Sequence, residues 1–301
     1  MTSMLLHKVQ HFLEKASRGE GDGLPPHLIE EFKEMCGFAI ERQFSEKRGS
    51  KVRMSGVGKP LCQQKLSAED GIEEDVDYTL VMKFLFGDII EAIAVTVMKG
   101  AGIDIQSEQE GVSLEIGGTT LNGTYDVKID DKIYDIKSAA PGAFSMKFAA
   151  NRGYNNIKKD DVFGYVPQGY LYAEAANSTF GGWIAINKAT GEWAVCETPL
   201  VHEEDRQAAL QLADKNIRSV LGKEKFERSF SDEPETYKDK ATGSIKRTGN
   251  RLMDRTCGYC GFKMHCWPDA AYKQKVTSTA NTKPRVWKSD APVHYRNYKR
   301  L

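Results

Sequence analysis

The chain has 301 residues, 40% hydrophobic and 28% charged, with acidic and basic side chains equal in number; this is an ordinary globular composition, enough for one elaborated domain or two small ones. Zero net charge excludes a broadly basic surface, so any nucleic-acid site must be local. No apolar run is long enough to cross a bilayer, and Met1 to His7 leads into a charged amphipathic segment and not a secretory signal.

A cytoplasmic location is therefore expected, where the six cysteines serve as free thiols or metal ligands. Amphipathic spacing predicts a first helix over Ser3 to Ala16. A Gly-rich linker, Gly19 to Gly23, and the start signal Pro25-Pro26 precede a second over His27 to Glu46. A basic loop with Lys47, Arg48, Lys51 and Arg53 runs on to Gly58-Lys-Pro-Leu-Cys62. Val81, Phe84, Leu85, Ile89, Ile90, Ile93 and Val97 recur at helical spacing and predict a helix over Tyr78 to Lys99. The period then falls to two. Val112 to Ile116 reads as a strand, and Leu121 to Ile129 with Lys132 to Ser138 as a hairpin about Asp130-Asp131. Val166 to Ala176 is helical. Gly181 to Ile186 and Glu192 to Glu197 form a second hairpin about Lys188-Ala-Thr-Gly191. Glu203 to Leu221 is a helix ended by Gly222. The remainder is polar and turn-rich. This order predicts an α/β fold with a central mixed sheet flanked by helices. Three segments are expected: 1–75, helical with the first cluster cysteine; 76–222, the core; and 223–301, with the cysteine cluster and a basic aromatic tail.

The segment richest in chemistry runs from Gly123 to Lys137. Asp126, in Gly123-Thr-Tyr-Asp126, is read as lying in a turn after a strand. Asp135 and Lys137 stand two apart on the next strand, so they share a face. Carboxylates on such a face can hold a hard divalent cation, Mg²⁺ or Mn²⁺, beside an ammonium. Phosphodiester hydrolysis needs that combination: a nucleophilic water, an offset for transition-state charge and a stabilised leaving oxygen. Asp126 and Asp135 are the first candidate ligands, with the main-chain carbonyl of Ile136 as a third oxygen. Lys137 is placed to orient or help deprotonate the water. Glu91, in Gly87-Asp-Ile-Ile-Glu91 on the preceding helix, is a further ligand, and Asp88 is in reserve on the same face. Gln168 and Tyr172 stand four apart on the later helix. Periodicity alone reads Tyr172 as core and Gln168 as surface.

Four motifs stand in order: Gly87-x-x-x-Glu91, Gly123-x-x-Asp126, Asp135-x-Lys137 and Gln168-x-x-x-Tyr172. In them the chain resembles the PD-(D/E)xK nuclease superfamily, in particular its RecB-like branch, over roughly Phe84 to Leu200. Many members of that branch carry His where this chain has Glu91; phage-type exonucleases of the superfamily use Glu. The resemblance implies a restriction-endonuclease-like core and metal-dependent cleavage of DNA. It also implies that Gln168 and Tyr172 border the active site, contacting DNA or positioning Lys137.

A second signal is Cys257-Gly-Tyr-Cys260-Gly-Phe-Lys-Met-His-Cys266. Paired cysteines with turn-forming glycines suit zinc or an iron–sulfur cluster. Cys62 is the expected fourth ligand. For zinc, His265 is an alternative that completes a Cys₃His site. RecB-like nucleases with clusters, AddB-like and CRISPR-adaptation-nuclease-like, carry one upstream cysteine and a downstream Cys-x-x-Cys-x₅-Cys. That resemblance implies a [4Fe–4S] cluster stapling the N- and C-terminal segments around the core. Cys36 and Cys196 read as buried small hydrophobes.

From Ala271 to Leu301, Lys273, Lys275, Lys283, Arg285, Lys288, Arg296, Lys299 and Arg300 face Asp290 alone, with Tyr272, Trp287, Tyr295 and Tyr298 interleaved. Cations for phosphates and rings for bases suit single-stranded DNA; a solvated tail is the competing reading. Lys147 and Arg152, with Asn151 and Tyr154, read as a loop over substrate or an ordinary solvated connection. Expected partners are DNA, single-stranded or as duplex ends, and a recombination or single-strand-binding protein, with no membrane. The function expected is a metal-dependent DNA exonuclease in phage or mobile-element recombination. The alternatives are a flap or structure-specific endonuclease and a non-catalytic zinc-containing nucleic-acid-binding module.

Overall fold

A computed structural model describes residues 3–45, 52–74, 78–149, 152–222, 224–268, 270–273 and 285–289. Lys47, Arg48, Lys51, Asn151 and, from the tail, Lys275, Lys283, Asp290, Tyr295, Arg296, Tyr298, Lys299 and Arg300 lie outside them. The chain divides into two compact units: Met1–Lys59 with Val76–Lys223, and Pro60–Asp75 with Glu224–Leu301. This differs from three consecutive segments. The N-terminal helices belong to the unit that holds the candidate site, while Cys62 is grouped with the C-terminal part.

The first unit contains α1 (Met4–Ser17) and α2 (Pro26–Ser45); α3 (Leu61–Ala68), next in the chain, belongs to the second unit. The first unit continues with α4 (Tyr78–Gly100), β1 (Ile105–Ile116), β2 (Thr119–Ile129) and β3 (Lys132–Ala139). The short turns α5 (Pro141–Ala143) and α6 (Gly153–Lys159) follow. Then come α7 (Tyr165–Ala175), β4 (Thr179–Asn187), β5 (Trp193–Glu197) and α8 (Glu203–Leu221). The strands form one sheet in the order β1-β2-β3-β4-β5. Only β3 and β4 are parallel, so the sheet is mixed, flanked by helices as expected of a restriction-endonuclease-like core.

Two apolar cores cover the sheet's two faces. On one side Val9 of α1 and Ala94, Val95 and Met98 of α4 pack with Tyr134, Ile136, Ile184 and Ile186. On the other, Tyr170, Leu171 and Tyr172 of α7 and Ala213 and Ile217 of α8 pack with Ile133, Ala139 and Trp183. A strand buried on both faces reads as nearly continuous apolar sequence. β3 does so only from Ile133 to Ile136, apart from Asp135; Asp135 and Lys137 share the face of Ile133 and Ala139 that turns toward α7.

Three local readings are corrected. Asp126 lies inside β2 and not in a turn: β2 keeps extended pairing with β1 on both sides of it, Tyr125 opposite Glu110 and Val127 opposite Glu108. β1 begins at Ile105, seven residues before the expected Val112, because polar Gln106 to Glu110 hide an edge strand whose partner supplies the ladder. The stretch after β3, read as a loop over substrate or a solvated connection, carries short helical turns with buried side chains. Lys147 is buried and its Nζ donates to the Asp160 carbonyl at 2.6 Å, while Tyr154 is buried in the α7-side core.

In the second unit, β6 (Glu233–Lys238), β7 (Ile245–Leu252), β8 (Ala270–Lys273) and β9 (Arg285–Ser289) form a sheet in the order β6-β7-β9-β8. α9 (Lys263–Cys266) closes the cysteine segment. Leu66 of α3 shares a small core with Met253, Phe262 and Trp267. Among the described residues no helix is long and apolar enough to cross a membrane.

Candidate active site and cysteine centre

β2 and β3 pair only as far as Val127 opposite Tyr134. Where β2 leaves, the Asp126 side chain takes over the ladder: Oδ2 accepts the Ile136 N–H at 2.6 Å. The fork holds Asp126 against β3, ten residues along the chain. What the structure ties to the site at Ile136 is thus its N–H; its carbonyl was the expected ligand.

Asp135 is 2% exposed. Lys137 Nζ donates to its Oδ1 at 2.7 Å, and Gln168 Nε2 donates to the same oxygen at 3.4 Å. Gln168 Nε2 also reaches the Tyr172 hydroxyl at 3.3 Å. Gln168 therefore meets the strand carboxylate, and Tyr172, which is also core as periodicity suggested, is linked to it only through Gln168. Asp135 Oδ2 lies 2.6 Å from Lys137 Nζ, but it is buried and has no hydrogen-bonding donor in good geometry.

Gly123 is a glycine because of close approach. A Cβ there would stand 2.5 Å from Tyr172 Cε1 and 3.0 Å from Met54 Sδ. The spacing Gly-x-x-Asp thus lets the α7 tyrosine ring lie against β2 three residues from Asp126.

Glu91 on α4 faces the strand carboxylates. Burial pushes its carboxyl well above the usual range, and the charges of Asp126 and Asp88 push it further. Burial and then Asp135 raise Asp126 from 3.8 to about 7, and burial raises Asp135 against the pull of Lys137. Burial alone would lower Lys137, but Asp135 and Asp126 outweigh it and hold the amine as an ammonium. Asp88, the reserve ligand, pairs with α2: Arg42 at 2.5 Å and Gln43 Nε2 at 2.6 Å.

Two residues were missed by sequence reading. Gln109 on β1 takes a left-handed φ of 47°, uncommon and strained for a non-glycine residue and frequent at functional sites. Its amide donates to Glu91 and hydrogen-bonds to Asp126. The Tyr165 ring, at the start of α7, lies 4.8 Å from Lys137 Nζ, a cation–π contact. Asp161 fixes that helix start by accepting Tyr165 N–H and Val166 N–H, both at 2.8 Å. A strained glutamine within a polar strand edge carries no sequence signal.

With all three carboxyls ionised, Glu91, Asp126 and Asp135 against Lys137 would leave two negative charges uncompensated. A divalent cation would balance them, and the hard oxygen donors suit magnesium. Among the described residues no three His, Cys, Asp or Glu side chains are spaced as ligands of one ion. The carboxylate oxygens here are engaged by Lys137, Gln109 and the Ile136 N–H.

In the second unit, Cys62, Cys257, Cys260 and Cys266 line one small cavity with Pro60, Leu66 and Trp267. Cys62 reaches it from α3, whose N–H at that residue donates to Ser229 Oγ at 3.1 Å. Burial raises the Cys257 and Cys260 thiols to about 11 and raises that of Cys266 as well. Opposing that, the Trp267 side chain, the Phe262 main chain and Arg228 hydrogen-bond to Cys257, Cys260 and Cys266 respectively. The four sulfurs share this cavity but are not spaced as ligands of one ion. His265 is exposed and does not line the cavity. Cys196 is buried, its thiol donating to the Phe148 carbonyl at 3.3 Å, and Cys36 is half-buried.

No family model and no curated protein matches the chain. Among solved structures it is similar to the crystal structure of SSO0001, at 14% identity and a TM-score of 0.40 over 78% of this chain and 95% of that one. It is also similar to that of a "Putative exonuclease" from Eubacterium rectale, at 12% identity and a TM-score of 0.32 over 67% of this chain and 86% of that one.

Proposed function

We propose that the protein is a metal-dependent DNA exonuclease of the PD-(D/E)xK type, acting in the processing of phage or mobile-element DNA. One observation carries the reading: Asp126 and Asp135 from adjacent strands, Glu91 from α4 and the Lys137 ammonium meet at one fork, and Gln168 and Tyr172 stand beside them. Glu91, Asp126 and Asp135 would hold a magnesium ion, which would supply an activated water and a Lewis acid for the phosphoryl oxygens. Lys137, kept charged by its neighbours, cannot be the resting base; it donates a hydrogen bond and offsets charge as the pentacoordinate phosphorus forms. Tyr165 limits where that ammonium can swing. Gln168 and Lys137 both fix Asp135 Oδ1.

The four cysteines would hold a [4Fe–4S] cluster, with zinc as the other metal that suits four thiolates. Its role would be structural, joining α3 to the segment from Cys257 to Cys266 within the second unit.

The test uses end-labelled linear DNA and closed circular DNA with Mg²⁺ or Mn²⁺, and with chelator. Linear DNA shortened from its ends, with circles intact and all cutting lost in Asp135→Ala and Lys137→Ala, is the expected result. Cut circles would make the protein an endonuclease. DNA binding with no cutting in either metal would leave the non-catalytic module.

A further inference from the structure

The β6–β7 hairpin carries a charge pattern that the site described above does not use. At its base, β7 pairs with β9 from Asn250 to Leu252, and Arg251 is paired with Asp232 at 2.8 Å. Beyond that, from Thr236 to Arg247, the ribbon has only its own two strands in the pairings of the described residues. Nearly every side chain of this free end is exposed. It holds Lys238, Lys240, Lys246 and Arg247 against the single acid Asp239.

Register sorts these charges onto faces. Tyr237 pairs with Lys246, and Asp239, two residues beyond Tyr237, shares that face. There Asp239 and Lys246 form an ion pair, and Asp239 also caps the turn by accepting the Ala241 and Thr242 N–H groups. The opposite face carries Thr236 with Arg247 and Lys238 with Ile245. It has two cations and no acid, and Lys240 stands at the turn. Among the described residues Lys238, Lys240 and Arg247 form no ion pair. Tyr237 and Ile245 are left 49% and 67% exposed.

Lysines along an edge strand also discourage strand-to-strand association. That role needs scattered charge on the edge and does not need the acids sorted away from one face. A two-stranded ribbon has the width of a DNA major groove, and unpaired cations on it meet phosphates on either side. We propose that the free end of the β6–β7 hairpin grips DNA phosphates through Lys238, Lys240 and Arg247. DNA as the polyanion rests on the nuclease reading above; the sorted charge does not.

The experiment measures binding by the full-length protein, with chelator present so that cutting plays no part. The probes are a labelled duplex and a labelled single strand, titrated across a range of salt. Lys238→Ala/Lys240→Ala/Arg247→Ala should weaken binding at about 0.1 M salt by roughly tenfold or more. It should also flatten the slope of log affinity against log salt by about 0.9 per lost contact on duplex, or about 0.7 on single strand. Which probe shows the change identifies the bound form. Lys238→Arg/Arg247→Lys should bind as the wild type, because either cation meets a phosphate. Lys132→Ala/Lys188→Ala removes two exposed cations of the first unit and should cost clearly less. Wild-type affinity and slope in the triple variant, a loss no greater than that of the Lys132/Lys188 pair, or no binding of either probe by the wild type would each overturn the inference. Cutting by a wild type whose hairpin variant still binds normally removes only the hairpin proposal. Hairpin-dependent binding without cutting removes only the nuclease reading.

Discussion

Gly123→Ala tests the link between the glycine motif and the catalytic carboxylates. The new methyl would start 2.5 Å from Tyr172 Cε1, 3.0 Å from Met54 Sδ and 3.1 Å from Met54 Cβ. Ordinary carbon–carbon contact needs about 3.5 Å or more, so the ring must retreat by roughly 1 Å. It cannot retreat freely, because Tyr172 is 5% exposed and packed among Leu171, Ala173 and the sheet. Overpacking of this kind costs about 1–3 kcal/mol, and about 2–4 °C of Tm per kcal/mol for a unit of this size. The displacement also carries the Tyr172 hydroxyl away from Gln168, which holds Asp135. A shift of about 1 Å in such a support costs up to about 100-fold in rate. Thermal unfolding and single-turnover cleavage of end-labelled DNA read the two effects. Gly123→Ala/Tyr172→Leu should recover much of the lost Tm and none of the rate, since the clash is relieved while the hydroxyl is gone. A single variant with wild-type Tm and rate would refute the reasoning, and so would a double variant that restores both.

A carboxyl harder to ionise folded than unfolded weakens the fold as pH rises from its unfolded value, near 4, through its folded one, which is about 7 for Asp126. In chelator, Asp126→Asn should therefore match the wild type near pH 4 and exceed it by up to about 4 kcal/mol near pH 8, while losing cleavage; urea titrations at several pH values check this, and a less stable variant at the higher pH counts against it. Glu91→Gln should slow cutting by roughly 100-fold or more. Asp88→Asn, whose partner is Arg42, should cut normally and lose no more than about 1 kcal/mol; equal loss of activity in both would move the ligand assignment. Cys62→Ala should empty the cysteine centre by metal analysis and visible absorbance and lower the unfolding temperature of the second unit, whereas His265→Ala should leave metal content unchanged. A His265 variant lacking metal would restore the Cys₃His alternative.

The periodic elements were legible before folding. α1, α2, α4, α7, α8 and the β2–β3 and β4–β5 hairpins follow from 3.6- and 2-residue spacing and local punctuation, because each buries one face whatever its distant neighbours are. The pairing of Asp135 with Lys137 on one face is likewise a property of a strand. Motif order brought Glu91, Asp126, Gln168 and Tyr172 into one list, but not into one place.

Tertiary structure decided the rest, because it depends on groups distant in number. β1 reaches back to Ile105 through polar residues because β2 completes its ladder. Asp126 became a strand residue at a fork, its carboxylate replacing a main-chain acceptor. Gln109 and Tyr165 joined the site through backbone geometry that composition does not record. Lys147 and Tyr154, polar enough to suggest a substrate loop, are themselves buried and bond half-buried partners, the Asp160 carbonyl and the Asp205 carboxylate. Local spacing determined which faces exist; only packing determined which carboxyls are crowded together, and so which of them resist ionisation.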